Sequence, residues 1–167
     1  MQLAVSTPST PSRGPLARLL GLFQWLNARL DALQPLAALL ARAYVAEAFF
    51  RSGLTKLRDW DITLALFQDE YHVPLLPPDV AAVMGTGGEL VLPLLLLLGL
   101  GGRVGALGLS VMNGVAVLSL AEIAPAALQQ HVTWGVLLAA LALFGSGGWS
   151  LDRWLLRHWP ALAPGRV

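Results

Sequence analysis

Eight polar side chains stand out because they interrupt stretches that are otherwise apolar. Such groups suit ion pairing, proton transfer, or binding of an anion or a carbonyl oxygen. An ionised side chain at membrane depth costs about 3 kcal/mol or more, so it survives where it faces other helices or a wet cavity. The candidates for an intramembrane polar site are Arg42, Glu47, Arg51, Lys56, Glu89, Asn113, Glu122 and His131.

Two ion pairs are predicted among these candidates. Glu47 and Arg51 are four residues apart, in the order that favours a pair within one helix. Arg42 then needs a partner on another helix. Glu89 is the natural choice, because it lies near the middle of its apolar segment among glycines that permit close helix approach. Each pair can be a structural ion pair that holds the bundle together, or a site that binds a ligand or transfers a proton. The residues alone leave both alternatives open.

The other candidates are expected near the outer ends of the helices. Lys56, Glu122 and His131 fall at about the depth of Arg51. This arrangement predicts a polar vestibule that opens outward, with Arg42 and Glu89 at its floor. Each residue also has a structural explanation. Lys56 can extend to the membrane interface, His131 can hydrogen-bond at a helix start, and Asn113 can link two helices.

Composition excludes several classes of function. The 167 residues are 56% hydrophobic and 13% charged, whereas soluble domains carry about 25% charged residues. This composition predicts a small integral membrane protein. A net charge of +1 without basic clusters gives no indication of nucleic-acid binding. The absence of cysteine excludes thiolate metal sites and iron–sulfur clusters. The positions of the three histidines along the chain predict no metal site.

The hydropathy pattern predicts an all-α fold, a four-helix transmembrane bundle with an amphipathic N-terminal interfacial helix. Residues 1–15 are predicted to be disordered, 16–34 to form the interfacial helix, 35–150 the membrane domain, and 151–167 a cytoplasmic tail with a second interfacial helix. The four spans are expected at about residues 36–57, 79–100, 103–124 and 131–148.

The long linker after the first span is predicted to fold back over the mouth of the bundle. Asp59 or Asp61 can cap a short helix there, and the following VPLLPP forces an extended return. The linker is acidic, whereas lysine and arginine concentrate before the first span, after the second, and in the tail. This asymmetry places both termini in the cytoplasm, and tryptophans at the predicted boundaries agree with it.

Two stretches of the sequence resemble DoxX-family membrane proteins. RAYVAEAFFRSGLTKLRDW resembles their first helix, and GTGGELVLPLLLLLGLGGRVGALGL resembles their second helix, the turn after it and the start of the third. A closer pattern, SGLTKLRDWD…LFQDEYHVPLLPP, looks like the HvfX-type branch, which is associated with maturation of copper-binding modified peptides. The family positions carried over are Arg42, Phe50, Gly53, Lys56, Glu89 and Arg103.

The resemblance implies a multi-pass protein of the bacterial inner membrane that works with protein partners in a complex. It would be an accessory subunit of a quinone or thiosulfate oxidoreductase, or of a peptide-maturation complex, with quinone as a conceivable cofactor. The residues leave two other functions open. One is a small transporter or permease-like subunit, for which only Pro93 hints at a broken helix. The other is a membrane anchor that recruits a soluble partner through the interfacial helices.

Overall fold

The structure, a computed structural model, describes residues 14–101 and 103–159. The predictions for residues 1–13 and for the tail from residue 160 onward lie outside these described residues. Within them the chain is helical and contains no strand. Six helices follow one another: α1 (Pro15–Arg58), α2 (Trp60–Asp69), α3 (Pro78–Leu98), α4 (Val104–Ser119), α5 (Pro125–Phe144) and α6 (Leu151–His158).

The chain divides into two compact units, Met1–Leu33 and Gln34–Val167. The described part of the first unit belongs to α1, and its leucines, with Phe23 and Trp25, are exposed. The sequence predicts two helices that meet near residue 34, but α1 continues through Pro35. Leucine- and alanine-rich sequence on both sides, with high helix propensity, accounts for this continuity.

One hydrophobic core joins four helices of the second unit. Its buried side chains come from α1, α3, α4 and α5, and they are Val45, Phe49, Leu96, Ala106, Leu109, Leu138 and Leu141. The backbones of α3 and α4 approach closely, since a Cβ at Gly105 would lie 2.8 Å from the backbone nitrogen of Leu96. Glycine is therefore required at this crossing.

Two of the described helices are long and apolar enough to cross a membrane, judged by length and composition alone. They are α3, with 21 residues, and α5, with 20. The apolar α4 is shorter, at 16 residues. It ends at Ser119, earlier than predicted, and α5 begins at Pro125. A proline fits the first turn of a helix because the N–H group there has no helical partner.

The linker between α1 and α3 carries the short helix α2 and then returns along the end of α4. Asp59 caps α2, its carboxylate accepting a hydrogen bond from the Ile62 N–H at 3.0 Å. Phe67 packs with alanines of α3. The His72 N–H then donates to the Ser119 carbonyl at 2.9 Å. The linker therefore closes over the ends of α3 and α4.

Candidate functional site

Lys56 and Glu89 form the most enclosed ion pair of the described chain. The Lys56 Nζ lies 2.8 Å from Oε1 and 2.6 Å from Oε2 of Glu89, and it also donates to the Ser52 hydroxyl at 2.9 Å. The lysine and glutamate side chains are 13% and 15% exposed. Lys56 therefore turns inward from the last turn of α1 toward the middle of α3, instead of extending to an interface.

Gly53 brings the two partners of this pair together. A Cβ at Gly53 would lie 3.1 Å from the Cβ of Glu89 and 3.0 Å from side-chain atoms of Leu90. The missing side chain lets α1 approach α3 at this level. Lys56, one turn later, then reaches the carboxylate. Gly53 and Lys56 both belong to the positions carried over from the family pattern. Both contribute to the same contact between α1 and α3.

Two further polar groups accompany the Lys56–Glu89 pair. Thr86 lies one turn before Glu89 on α3. It is buried, and its hydroxyl has no hydrogen-bond partner among the described residues. Tyr71 lies in the linker. Burial is the largest cause that raises the pKa of its phenol, and the negative charges of Glu89 and Glu70 raise this pKa further. The phenol therefore stays neutral over the physiological range.

Arg42 is fully buried and binds backbone carbonyls rather than a carboxylate. Its guanidinium donates to the carbonyls of Ala38 at 3.4 Å, Leu97 at 3.1 Å and Trp149. Leu97 lies in the last turn of α3, where carbonyls lack helical partners and the helix dipole favours a cation. Gly99, with φ +66°, ends that helix, and a Cβ there would meet the guanidinium at 2.6 Å.

The predicted pairing of Arg42 with Glu89 is wrong. Arg42 lies at the level of Leu97, which is eight residues after Glu89 on α3, or about 12 Å at 1.5 Å per residue. Lys56 is fourteen residues beyond Arg42 on α1, and it reaches Glu89 instead. The two helices run antiparallel here, so the later residue of α1 meets the earlier residue of α3.

Arg103, another family position, also caps the end of a helix. Its guanidinium donates to the carbonyl of Leu143 at 3.1 Å, in the last turn of α5. Nearby, the Asp152 carboxylate accepts from the Gly101 N–H at 3.0 Å, which ties the α3–α4 turn to the start of α6. Arg42 and Arg103 therefore each donate hydrogen bonds to carbonyls in the last turn of a helix, α3 for Arg42 and α5 for Arg103.

Asn113 and His131 form a second polar contact, between α4 and α5. The Asn113 side-chain amide donates to the His131 carbonyl at 2.9 Å, and the Asn113 Oδ1 lies 2.7 Å from His131 Nδ1. Because Oδ1 can only accept, the proton of this hydrogen bond belongs to Nδ1. The ring packs edge-on against Trp134, whose buried indole nitrogen lacks a hydrogen-bond partner among the described residues. Asn113 thus links two helices, as one reading of the sequence suggests.

The remaining candidates are exposed and do not join either contact. Glu47 and Arg51 form the predicted pair at 2.9 Å, but their side chains are 59% and 77% exposed. Glu122 lies exposed on the connection between α4 and α5, because α4 ends at Ser119. Phe50, a family position, is half-buried on α1. The structure therefore brings the candidates together as separate contacts rather than as one vestibule.

Sequence reasoning missed three members of the site: Ser52, Thr86 and Tyr71. Helical spacing offers a signal for two of them, since Ser52 precedes Lys56 by four residues and Thr86 precedes Glu89 by three. Tyr71 is brought near by the fold of the linker, which spacing does not reveal. Among the described residues there is no group of three or more histidines, aspartates or glutamates placed to hold a metal ion.

Two apolar helices of membrane-spanning length are compatible with a helical membrane protein. The chain matches the DoxX family over residues 37–122. It is also 30% identical over 131 residues to an uncharacterized protein of Haemophilus influenzae, an alignment that covers 73% of this chain and 85% of that protein. No solved structure matches the chain. The chain belongs to the DoxX family, which is typically membrane-associated.

Proposed function

We propose that this chain is a multi-pass subunit of the bacterial inner membrane that serves a larger complex as a non-catalytic or accessory partner. In this proposal four helices cross the bilayer: α1 from about residue 36, α3, α4 and α5. Both termini lie in the cytoplasm and the α1–α3 linker lies outside. The shared core of these four helices supports this arrangement, and the distribution of lysine and arginine supports the orientation.

The complex is a redox-linked one of the quinone or thiosulfate oxidoreductase type, or one that matures a copper-binding modified peptide. The second assignment follows the resemblance to the HvfX-type branch. The single observation that carries a functional role is the Lys56–Glu89 pair, which is enclosed between α1 and α3 inside the segment that matches the family. Enclosing two charges costs several kcal/mol per ion before their attraction is counted, and intramembrane ionisable groups are commonly functional.

The chemistry of the pair favours proton exchange over binding of a quinone. The three Nζ hydrogens of Lys56 already face three acceptors, namely Ser52 and both oxygens of Glu89. Lys56 therefore has no N–H left to donate to a quinone carbonyl. An acid and a base in direct contact can instead pass one proton between them, and the Thr86 hydroxyl, which has no partner among the described residues, lies one turn earlier on α3.

A double variant tests this role against a purely structural one. Lys56→Met with Glu89→Leu replaces the pair by apolar side chains, which is often neutral or stabilising. We expect this variant to accumulate like the parent and to bind the same partners, while the complex loses activity. Partners are first identified by co-purification in mild detergent. Activity is then read as quinone reduction or as yield of modified peptide, according to the partner found.

The control is Asp69→Asn, which removes an exposed carboxylate at the end of α2 and leaves activity unchanged. If the double variant retains full activity, the pair is structural and the proposed proton exchange is rejected. If no protein co-purifies with the parent chain, the accessory role is rejected. Uptake of a solute by proteoliposomes that contain this chain alone would favour the transporter instead. The broken helix expected of a transporter is absent at Pro93, since α3 continues through that residue.

A membrane anchor is the second candidate function, and one observation favours it. The first unit exposes a continuous set of large apolar side chains on α1, from Leu16 at 70% to Leu33 at 56%. Such a surface suits the membrane interface or a partner protein. Deletion of residues 1–33 tests this function. Loss of the co-purifying partner, with the remaining chain still inserted in the membrane, would support it.

A further inference from the structure

One face of α1 carries a row of exposed side chains, and within this row the Tyr44 hydroxyl accepts a hydrogen bond from the Gln130 side-chain amide of α5 at 2.8 Å. The buried residues of this helix, such as Val45 and Phe49, lie on one side. On the opposite side an exposed row recurs at intervals of four and three residues, which is the spacing of a helix–helix seam. We call this row the outer stripe; its members are Leu40, Tyr44, Glu47, Arg51 and Leu54.

The outer stripe places an ion pair where a bilayer would be. Under the proposed topology, Glu47 lies eleven residues before the end of α1 at Arg58, or about 17 Å at 1.5 Å per residue. This is about half the thickness of a hydrocarbon core of ~30 Å. Glu47 and Arg51 point away from the core, with side chains 59% and 77% exposed. Charged side chains at such depth almost always face protein or water rather than lipid.

The charges of the outer stripe are complementary to a second copy of the same stripe. An acid and a base one turn apart allow two α1 helices, related by a two-fold axis, to place Glu47 of each beside Arg51 of the other. Leu40, Tyr44 and Leu54 would then pack at both ends of the charged segment. A contact of this kind is isologous, since the same patch serves both chains.

We propose that a second copy of this chain covers the outer stripe within the membrane, through α1–α1 packing with exchanged Glu47–Arg51 pairs. This inference rests on the proposed function only in requiring that α1 crosses the bilayer. The protein is then a homodimer whose interface lies on the face of α1 opposite the Lys56–Glu89 pair. Each protomer therefore keeps its inner ion pair free for the role proposed above.

Cysteine cross-linking in membranes tests the proposal directly, because the chain has no native cysteine. Leu54→Cys lies in the stripe, whereas Leu57→Cys lies on the same exposed turn of α1 but outside it. A disulfide requires Cα atoms within about 7 Å. We expect oxidant to convert Leu54→Cys to a species of twice the chain mass with a yield at least about tenfold higher than for Leu57→Cys, because only the stripe brings the two Cα atoms within this distance.

Equal cross-linking of the two variants would overturn the proposal, and so would a product that contains another protein, which would assign the stripe to a partner subunit. Failure of the topology is detected separately. Leu75→Cys, in the exposed linker, is labelled from outside intact cells by an impermeant thiol reagent if the linker lies outside. Labelling at Leu75→Cys without a dimer at Leu54→Cys rejects this inference alone.

A charge exchange provides a second readout. In the Leu54→Cys background, Glu47→Arg gives each helix two cations and Arg51→Glu gives each helix two anions, so each chain alone is expected to lose the dimer. When the two chains carry different tags and are expressed together, opposite charges meet and the mixed dimer is expected to return. Unchanged cross-linking in both single-charge variants, or no mixed dimer, would contradict the exchanged pairs.

Discussion

Lys56 of α1 and Glu89 of α3 meet through both carboxylate oxygens, at 2.6 and 2.8 Å, and no other ion pair of the described residues is as enclosed. The contact depends on Gly53, which lets the two helices approach one turn earlier. A lysine near the end of one helix thereby finds a carboxylate in the interior of the next. The pair fixes the relative depth of α1 and α3.

Removing one partner of this pair should destabilise the protein strongly. Lys56→Met leaves the Glu89 carboxylate enclosed and uncompensated, at a cost of about 3–5 kcal/mol. We expect a lower midpoint of thermal unfolding in detergent and less protein in the membrane. The double variant with Glu89→Leu should recover most of the loss. A single variant as stable as the parent would mean that water or another group replaces the lysine.

Arg42 should be replaceable neither by lysine nor by an apolar residue of similar length. Arg42→Met leaves the carbonyls of Leu97 and Trp149 without this donor, at about 1–3 kcal/mol for each group that stays unsatisfied. Arg42→Lys keeps the charge but offers a compact ammonium in place of the planar fork, and we expect an intermediate loss. Thermal unfolding measures both variants. Arg58→Met, exposed at the end of the same helix, is the control and should change little.

The helical class could be predicted from the sequence, because it follows from local patterns. Long apolar segments predicted α3 and α5, and the sequence offered Asp59 or Asp61 as the cap of α2, of which the structure uses Asp59. The partner of Arg42 could not be predicted. Its acceptors are backbone carbonyls of α3 and of the segment before α6, and any residue type supplies a carbonyl.

The depth of a charge along a helix was the other point at which sequence reasoning failed. Glu89 lies in the middle of α3. It was therefore expected at the depth of Arg42 rather than at the depth of Lys56, which lies near the end of α1. The contact between Lys56 and Glu89 shows how far α3 is displaced along α1. That displacement is a property of tertiary packing, and no hydropathy pattern records it.

Two glycines of α4 should respond to alanine with opposite signs. At Gly105 an added methyl group would lie 2.8 Å from the Leu96 nitrogen, so α3 and α4 must separate and the protein is destabilised. At Gly114 no atom lies within 4 Å of the added group. Alanine there gains about 1 kcal/mol of helix propensity. Thermal unfolding of Gly105→Ala and Gly114→Ala measures both, and equal shifts of the same sign would contradict the close crossing.

Tyr71 should titrate above its ordinary pKa of 10.0, because burial and the neighbouring carboxylates Glu89 and Glu70 disfavour the phenolate. The protein has two tyrosines, so Tyr44→Phe leaves Tyr71 alone in the ultraviolet absorbance of phenolate. The folded chain holds this proton more tightly than the unfolded chain. Stability is therefore unaffected below the ordinary pKa, and it falls as the pH rises from there through the raised pKa.

The neighbours of Tyr71 separate the causes of this shift. Glu70→Gln, in the Tyr44→Phe background, removes one negative charge without disturbing the inner pair, and it should lower the titration midpoint slightly. Glu89→Gln, in the same background, removes the charge of Glu89 and keeps the Lys56 cation, so it should lower the midpoint further, because Glu89 is the larger of the two electrostatic causes. Since burial is the largest cause, the midpoint should still stay above the ordinary value. A midpoint unmoved by Glu89→Gln would place Tyr71 beyond the electrostatic reach of Glu89 and would contradict this cause of the raised pKa.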